Sequence, residues 1–129
     1  MKKLAFLLVI SLFSLFLIFI CGSFFIIYQG VKTTCLKAKE DYKENCVNAL
    51  IKYIQSNNKT FRDKNSAIWA LGQLADKKTL PFLYELNKSL PERKKCSGDY
   101  LCKYEIKKAI KWCETSNITS WMYKNRDWR

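Results

Sequence analysis

Leu4 to Tyr28 runs for 25 residues without a charge, directly behind Lys2 and Lys3, and this stretch restricts the start of the chain to one kind of structure. A segment moved out of water must satisfy its own backbone N–H and C=O groups, which for a single segment means a helix. At ~1.5 Å per residue that helix reaches about 37 Å, more than the ~30 Å hydrocarbon layer requires. A secretory signal peptide carries a shorter apolar region, about 7 to 15 residues, before a small-residue cleavage site. Cys21-Gly22-Ser23 has the outline of a lipoprotein cleavage site, but Ile20 stands where a small residue is needed and Phe24 to Tyr28 continue the apolar run. The expectation is an uncleaved single anchor over residues 1–30, meeting the membrane through residues 4–28.

Lys2 and Lys3 are the only charged residues before Val31, in a chain with 23 Lys and Arg, 11 Asp and Glu and a net charge of +12. Beyond the anchor lies one small, basic domain. Basicity fits an acidic partner or anionic headgroups. It fits equally a solvated surface, and the dispersal of Lys37, Lys39, Lys43, Lys52, Lys77, Lys78, Lys94, Lys95, Lys107, Lys108 and Lys111 favours that plainer reading. Lys2 and Lys3 argue for an inside N-terminus, but Lys32, Lys37, Lys39 and Lys43 follow the apolar run closely, so the positive-inside rule does not fix the topology. Cys35, Cys46, Cys96, Cys102 and Cys113 do: such a density belongs in an oxidising compartment, which places the domain outside the cytoplasm.

Periodicity then divides the domain into helices. Gly30 to Thr34 reads as a short joint, and Leu36 to about Gln55 as a helix burying Val47, Leu50, Ile51 and Ile54. Ser56-Asn57-Asn58-Lys59 has turn composition, and Thr60 with Asp63 forms a capping box for a helix from Phe61 to Leu74 or Ala75. Ala67, Ile68, Ala70, Leu71 and Leu74 share one face of it, and small residues there allow a second helix to approach closely. Leu80, Leu83, Leu86 and Leu90 repeat the pattern in a helix capped by Asp76 or Thr79, with Pro81 in its tolerated first turn and Pro91 at its end. Pro91 to Gly98 reads as a loop, and Asp99 as the cap of a last helix, Tyr100 to Cys113, burying Cys102, Ile106, Ala109, Ile110 and Cys113.

The run NSAIWALGQLADKKTLPFLYEL, Asn65 to Leu86, places two of these helices around a Gly-x-x-x-Asp connection. It resembles the HEAT-like repeat in its bilin-lyase-type form, whose recurring core is A-x-x-A-L-G-x-L-x-D-x-x-x-L-P-x-L. The motif itself covers Lys64 to Leu86, and Lys64 stands where the family usually has Arg, which weakens an Arg ladder between repeats but not the fold. The resemblance implies an all-α fold: a short α-solenoid of HEAT-like helical hairpins over residues 31–114, preceded by one N-terminal transmembrane helix. Glu44 to Ile54 would be the second helix of one repeat, Phe61 to Leu90 a full repeat, and Tyr100 to Cys113 the first helix of the next. About two units fall short of the three or more such arrays need, so the anchor, crosslinks or the tail must add stability.

Cys35 and Cys46 are 11 apart, as are Cys102 and Cys113; within one helix that means about 16 Å of rise, too far for a disulfide that needs Cα atoms within ~7 Å. Cys35 reaches Cys46 only if the chain doubles back before a new helix. Cys96, in the loop, can fold onto Cys102 and close a small ring, and this is the preferred disulfide. The five cysteines beyond the anchor are an odd number, which leaves at least one of their thiols free or paired between chains. No close pair of Cys or His ligands exists, so no zinc site is expected.

The chain has no histidine, which removes the commonest general base, the usual metal ligand and the Ser-His and Cys-His nucleophile pairs. Its four glycines form no phosphate-cradling loop. Glu40, Asp41 and Glu44 beside Lys37, Lys39 and Lys43 read as an i, i+4 salt-bridged helix face. HEAT-like relatives include bilin lyases and iron-dependent hydroxylases that hold metal on His-Glu motifs; without histidine the hydroxylase chemistry does not carry over. No catalytic residue, cofactor or metal is expected.

The ending, residues 115–129, interleaves Trp121, Tyr123 and Trp128 with Lys124, Arg126 and Arg129. Such a mixture suits a membrane interface or stacked nucleic-acid bases. It also suits a cap over the exposed apolar end of a solenoid, which is the favoured reading. Asn58-Lys59-Thr60 and Asn117-Ile118-Thr119 match the glycosylation pattern and nothing more. Together these features describe a single-pass protein of the cell membrane whose HEAT-like module binds an unidentified protein partner at the membrane surface and is not an enzyme. Trp69 and Tyr84, each beside a buried stripe without belonging to it, are its candidate anchors. The alternative is a basic domain binding anionic lipid or a cell-envelope polyanion; nucleic acid is not an expected partner.

Overall fold

The computed structural model describes residues 2–92 and 96–129. Met1 and residues 93–95 lie outside it, so the expected loop Pro91 to Gly98 is described only at its ends, and Lys94 and Lys95 not at all. Among the described residues the fold is all-α, with no strand.

The first helix, α1 (Lys2–Tyr42), runs unbroken for 41 residues, about 60 Å at ~1.5 Å per residue. Phe6 to Phe19 are exposed on every side. Of the described helices α1 is long and apolar enough to cross a membrane. Beyond that segment one stripe turns inward at helical spacing: Phe24, Ile27 and Tyr28 pack on the core, and Val31, Cys35 and Ala38 are wholly buried in it. Gly30 to Thr34, expected as a joint, is therefore continuous helix. A mid-helix glycine costs ~1 kcal/mol relative to alanine. Here it makes room: a Cβ on Gly30 would stand 3.2 Å from the Trp69 ring.

The expected helix Leu36 to Gln55 is interrupted. Lys43 takes a left-handed φ of 53° while its N–H still reaches the Lys39 carbonyl at 2.9 Å, and the chain turns back. Asn45 then caps α2 (Cys46–Gln55), its side-chain oxygen accepting from the Asn48 N–H at 3.0 Å. The reversal brings the Cα atoms of Cys35 and Cys46 to 5.2 Å, and the two form a disulfide that staples α2 to α1. On α2, Val47, Leu50 and Ile54 are buried as expected and Ile51 half so, joined by Cys46, Ala49 and Tyr53.

Thr60 opens α3 (Phe61–Leu74) by accepting from the Asp63 N–H at 3.1 Å. All five residues of the expected apolar face are buried. The helix ends at Ala75, left-handed at φ 50°, whose N–H bonds the Leu71 carbonyl at 3.1 Å. Asp76 caps a single 3-10 turn, Lys77–Thr79, that leads into α4 (Leu80–Ser89), where Leu83 is buried and Leu80, Leu86 and Leu90 lie partly on the core.

The last helix, α5 (Lys103–Thr115), starts three residues later than the sequence indicates, with Cys102 and not Asp99 at the cap position. The cause lies on α3. The Asn65 amide donates to the Tyr100 carbonyl at 2.9 Å and its oxygen accepts from the Cys102 N–H at 2.8 Å, holding the segment extended. Cys96 closes onto Cys102 in the expected disulfide, with Cα atoms 5.3 Å apart. Helix α3 sits in the middle, packed on α1, α2 and α5, while α4 lies on α5. The close approach that small residues permit is thus between α3 and α5: a Cβ on Gly72 would stand 2.9 Å from Ala109 Cα.

Candidate functional site

Because α5 buries Ile106, Ala109, Ile110 and Cys113 against α3, its opposite side must carry Tyr104, Lys107, Lys108 and Lys111, with Trp112 at the edge. Lys108 is the pivot. Its ammonium lies 4.9 Å from the Trp112 ring centre and 5.7 Å from that of Tyr104, and 3.3 Å from the Glu105 carboxylate. A cation over two ring faces is held by their quadrupoles as well as by the carboxylate.

Three shallow concavities meet along this face. The first, about 470 Å³, lies between α3 and α5 and is lined by Arg62, Asn65, Ser66, Trp69, Gly98, Glu105 and Lys108. The second, about 460 Å³, is bounded by Tyr104, Lys107, Lys108, Lys111 and Trp112. The third, about 560 Å³, shares Lys111 and Trp112 and runs over Gln73 to Ile27 of α1 and to Thr115 through Thr119. Shared walls make them one band, basic and aromatic, that ends beside α1. Such a band can seat acidic or mixed acidic and aromatic groups; it has the shape of a binding surface, not of an enclosed pocket.

The residues singled out in the sequence fall in different places. Trp69 lines the first concavity while its ring rests on Gly30. Tyr84 stands elsewhere, on α4, 46% exposed, with its hydroxyl donating to the Glu114 carboxylate, a bond that raises its pKa. The two do not share a concavity. Lys108 and Lys111, which the sequence presents among dispersed lysines, join Tyr104 and Trp112 here, and the i, i+4, i+7, i+8 spacing of the four is the local sign that they share one helix face.

The tail divides. Tyr123 and Trp128 are buried and Trp121 is 65% exposed. Tyr28 of α1 stacks on Tyr123 at 6.2 Å between ring centres, and Trp128 meets both edge-on at 5.9 and 6.1 Å. The Trp128 indole donates to the Tyr28 hydroxyl at 3.2 Å, and the Lys39 ammonium to the Trp128 carbonyl at 3.1 Å. Burial pushes the Tyr123 phenol up to about 12. Ahead of this cluster the Gln73 side-chain oxygen accepts from Thr119 Oγ1 at 2.5 Å and Asn117 Nδ2 at 3.1 Å. The tail is thereby tied to both α1 and α3, and the Asn117 amide is engaged inside the fold.

Charges mostly join elements. Lys37 of α1 meets Asp63 of α3 at 2.9 Å, and that ammonium, helped by the Thr60 hydroxyl, holds the Asp63 carboxyl below its ordinary range. Asp41 pairs with Lys59 at 2.7 Å and Glu44 with Lys52 of α2. The acids near residue 40 therefore do not form the expected ladder along one helix; the reversal at Lys43 turns them toward α2 and the turn after it. Cys113, unpaired and buried, lies 3.3 Å from the Thr79 hydroxyl, and burial pushes its thiol up. Among the described residues no three His, Cys, Asp or Glu side chains stand together as a metal site. No protein-family model, no curated protein and no solved structure matches the chain.

Proposed function

We propose that this chain is a single-pass membrane protein whose small HEAT-like domain, on the extracytoplasmic side, presents the α3–α5 band to a protein partner and performs no catalysis. The observation that carries this reading is the band itself: Trp69, Tyr104 and Trp112 interleaved with Arg62, Lys107, Lys108 and Lys111, on a domain continuous with an apolar helix. Aromatic and arginine side chains supply most of the energy at protein interfaces. Two disulfides support the outward orientation. The motif from Lys64 to Leu86 supports the HEAT-like reading, although α4 packs on α5 and not on α3 as the second helix of one hairpin would. The lack of histidine supports a role in binding.

Lys107, Lys108 and Lys111, in a chain of net charge +12, favour a second reading in which the band holds anionic lipid headgroups or an envelope polyanion. A photo-crosslinking residue placed at Tyr104, with Tyr84 as comparison, separates the two in membranes from producing cells. A discrete protein adduct at position 104 that survives high salt supports a protein partner. Adducts that vanish with salt, together with capture on anionic vesicles, support the polyanion. No adduct at position 104 at any ionic strength removes the first reading.

A further inference from the structure

Ile118 and Trp121 are 79% and 65% exposed, and neither joins the core that the rest of the tail covers. Their position relative to α1 gives that exposure a purpose. Residues 4–23 alone provide about 30 Å of helix, the thickness of the hydrocarbon layer, and Phe24 is the residue at which α1 begins to pack on the domain. Ile27, four residues beyond position 23, then lies about 6 Å above the hydrocarbon boundary, inside the headgroup layer of about 5 to 8 Å. Ile118 lines the same concavity as Ile27, so it stands beside the turn of α1 that leaves the hydrocarbon. Trp121 comes within about 10 Å of Ile118, since three residues span no more than that.

We infer that the loop from Ser116 to Trp121 is a second membrane contact: Ile118 and Trp121 enter the interface of the bilayer that α1 crosses and fix the tilt and rotation of the domain upon it. This rests on the anchored reading proposed for the chain. The chemistry matches at each part. Trp is favoured at the headgroup level, where its ring is buried and its N–H stays wet. Lys111, on the wall of the same concavity, and Arg126, 5.5 Å from the Tyr28 ring, supply cations at that height for lipid phosphates. The loop is a rigid presenter: Gln73 holds Asn117 and Thr119 from inside, Ser116 adopts a left-handed φ of 72°, and the Ser120 N–H closes on the Asn117 carbonyl at 3.0 Å. Two contacts, one crossing and one lateral, define an orientation where a lone helix leaves the domain free to rotate about its axis.

The test uses the full chain in vesicles of phosphatidylcholine with a minor share of phosphatidylglycerol, their acyl chains brominated close to the glycerol end to quench nearby tryptophan. Flotation of the protein with the vesicles after alkaline washing reports the anchor independently. The inference expects W121F to lower the quenching, with Trp112 and Trp128 beside Ile27 and Tyr28 supplying the remainder, and to leave melting unchanged, and I118W to add quenched, blue-shifted emission. Unaltered quenching in W121F together with water-like emission from I118W overturns it. If the protein then still floats, the anchor stands and the loop lies off the bilayer; if it does not float, the anchored reading fails as well.

Discussion

Gly72→Ala sets two effects of known size against each other, and the structure decides between them. Alanine is preferred to glycine inside a helix by ~1 kcal/mol, so the substitution alone should stabilise α3. The new methyl, however, would stand 2.9 Å from Ala109 Cα, 2.9 Å from Trp112 Cε3 and 3.1 Å from Ala109 Cβ. Carbon atoms settle at about 3.5 to 4.0 Å, and the first of these neighbours is backbone that cannot swing aside. Helix α5 must retreat by roughly 0.6 to 1 Å, and overpacking of that kind costs about 1 to 3 kcal/mol. The net expectation is a loss of about 1 kcal/mol, which for a domain of this size lowers Tm by about 4 to 8 °C. Thermal unfolding of the full chain in detergent, monitored by near-ultraviolet circular dichroism, reads it. Gly22→Ala, with nothing within 4 Å of the new methyl, is the control and should leave the domain transition unmoved. A Gly72→Ala protein that melts above the parent would show that α3 and α5 are not in contact at this point, and the band built on their junction would lose its frame.

Removing the disulfide with C35A/C46A frees a loop of 11 residues' separation and should cost about 3 kcal/mol, while reduction of the double variant should affect only the Cys96–Cys102 ring; urea titration with and without reductant measures both. Ala75→Gly inverts the usual penalty, because Ala75 sits at φ 50°, and should stabilise by about 1 kcal/mol in the same titration. The Lys37–Asp63 pair makes stability depend on acid. Asp63 has a lowered folded pKa, so its contribution is complete above the unfolded carboxyl value near 4 and is lost as pH falls through the folded value. Asp63→Asn should therefore flatten the acid limb of the stability profile, by no more than the ~0.2 to 1 kcal/mol of an exposed pair, and leave its shape unchanged above pH ~6.

How far these features can be read in advance depends on the distance of their causes. Thr60 with Asp63, the apolar face of α3 and the Cys96–Cys102 ring are written within a few residues, and each is legible in the chain. The segment expected as a joint at Gly30 is continuous helix, and the glycine there answers to Trp69, far along the sequence, whose ring fills the space a side chain would occupy. The delayed start of α5 is likewise set by Asn65, 35 and 37 residues from the groups it holds. The stop at Lys43 gives no local sign, since lysine has no preference for the left-handed region it adopts there. In the tail, composition announces an aromatic and basic segment but cannot divide it. Which rings serve the core depends on Tyr28, 100 residues from the Trp128 it bonds.

The central claim, an apolar helix that carries a disulfide-stapled domain on the outer face of a membrane, is tested most directly by labelling cysteines in intact cells with a membrane-impermeant maleimide. Cys96 is exposed but oxidised, Cys113 is buried and Cys21 lies in the apolar stretch of α1, so the folded protein offers no ready thiol to the reagent. The account predicts labelling that appears in intact cells only after reduction, at Cys96. Labelling that requires lysis and no reductant would place reduced cysteines in the cytoplasm and contradict it.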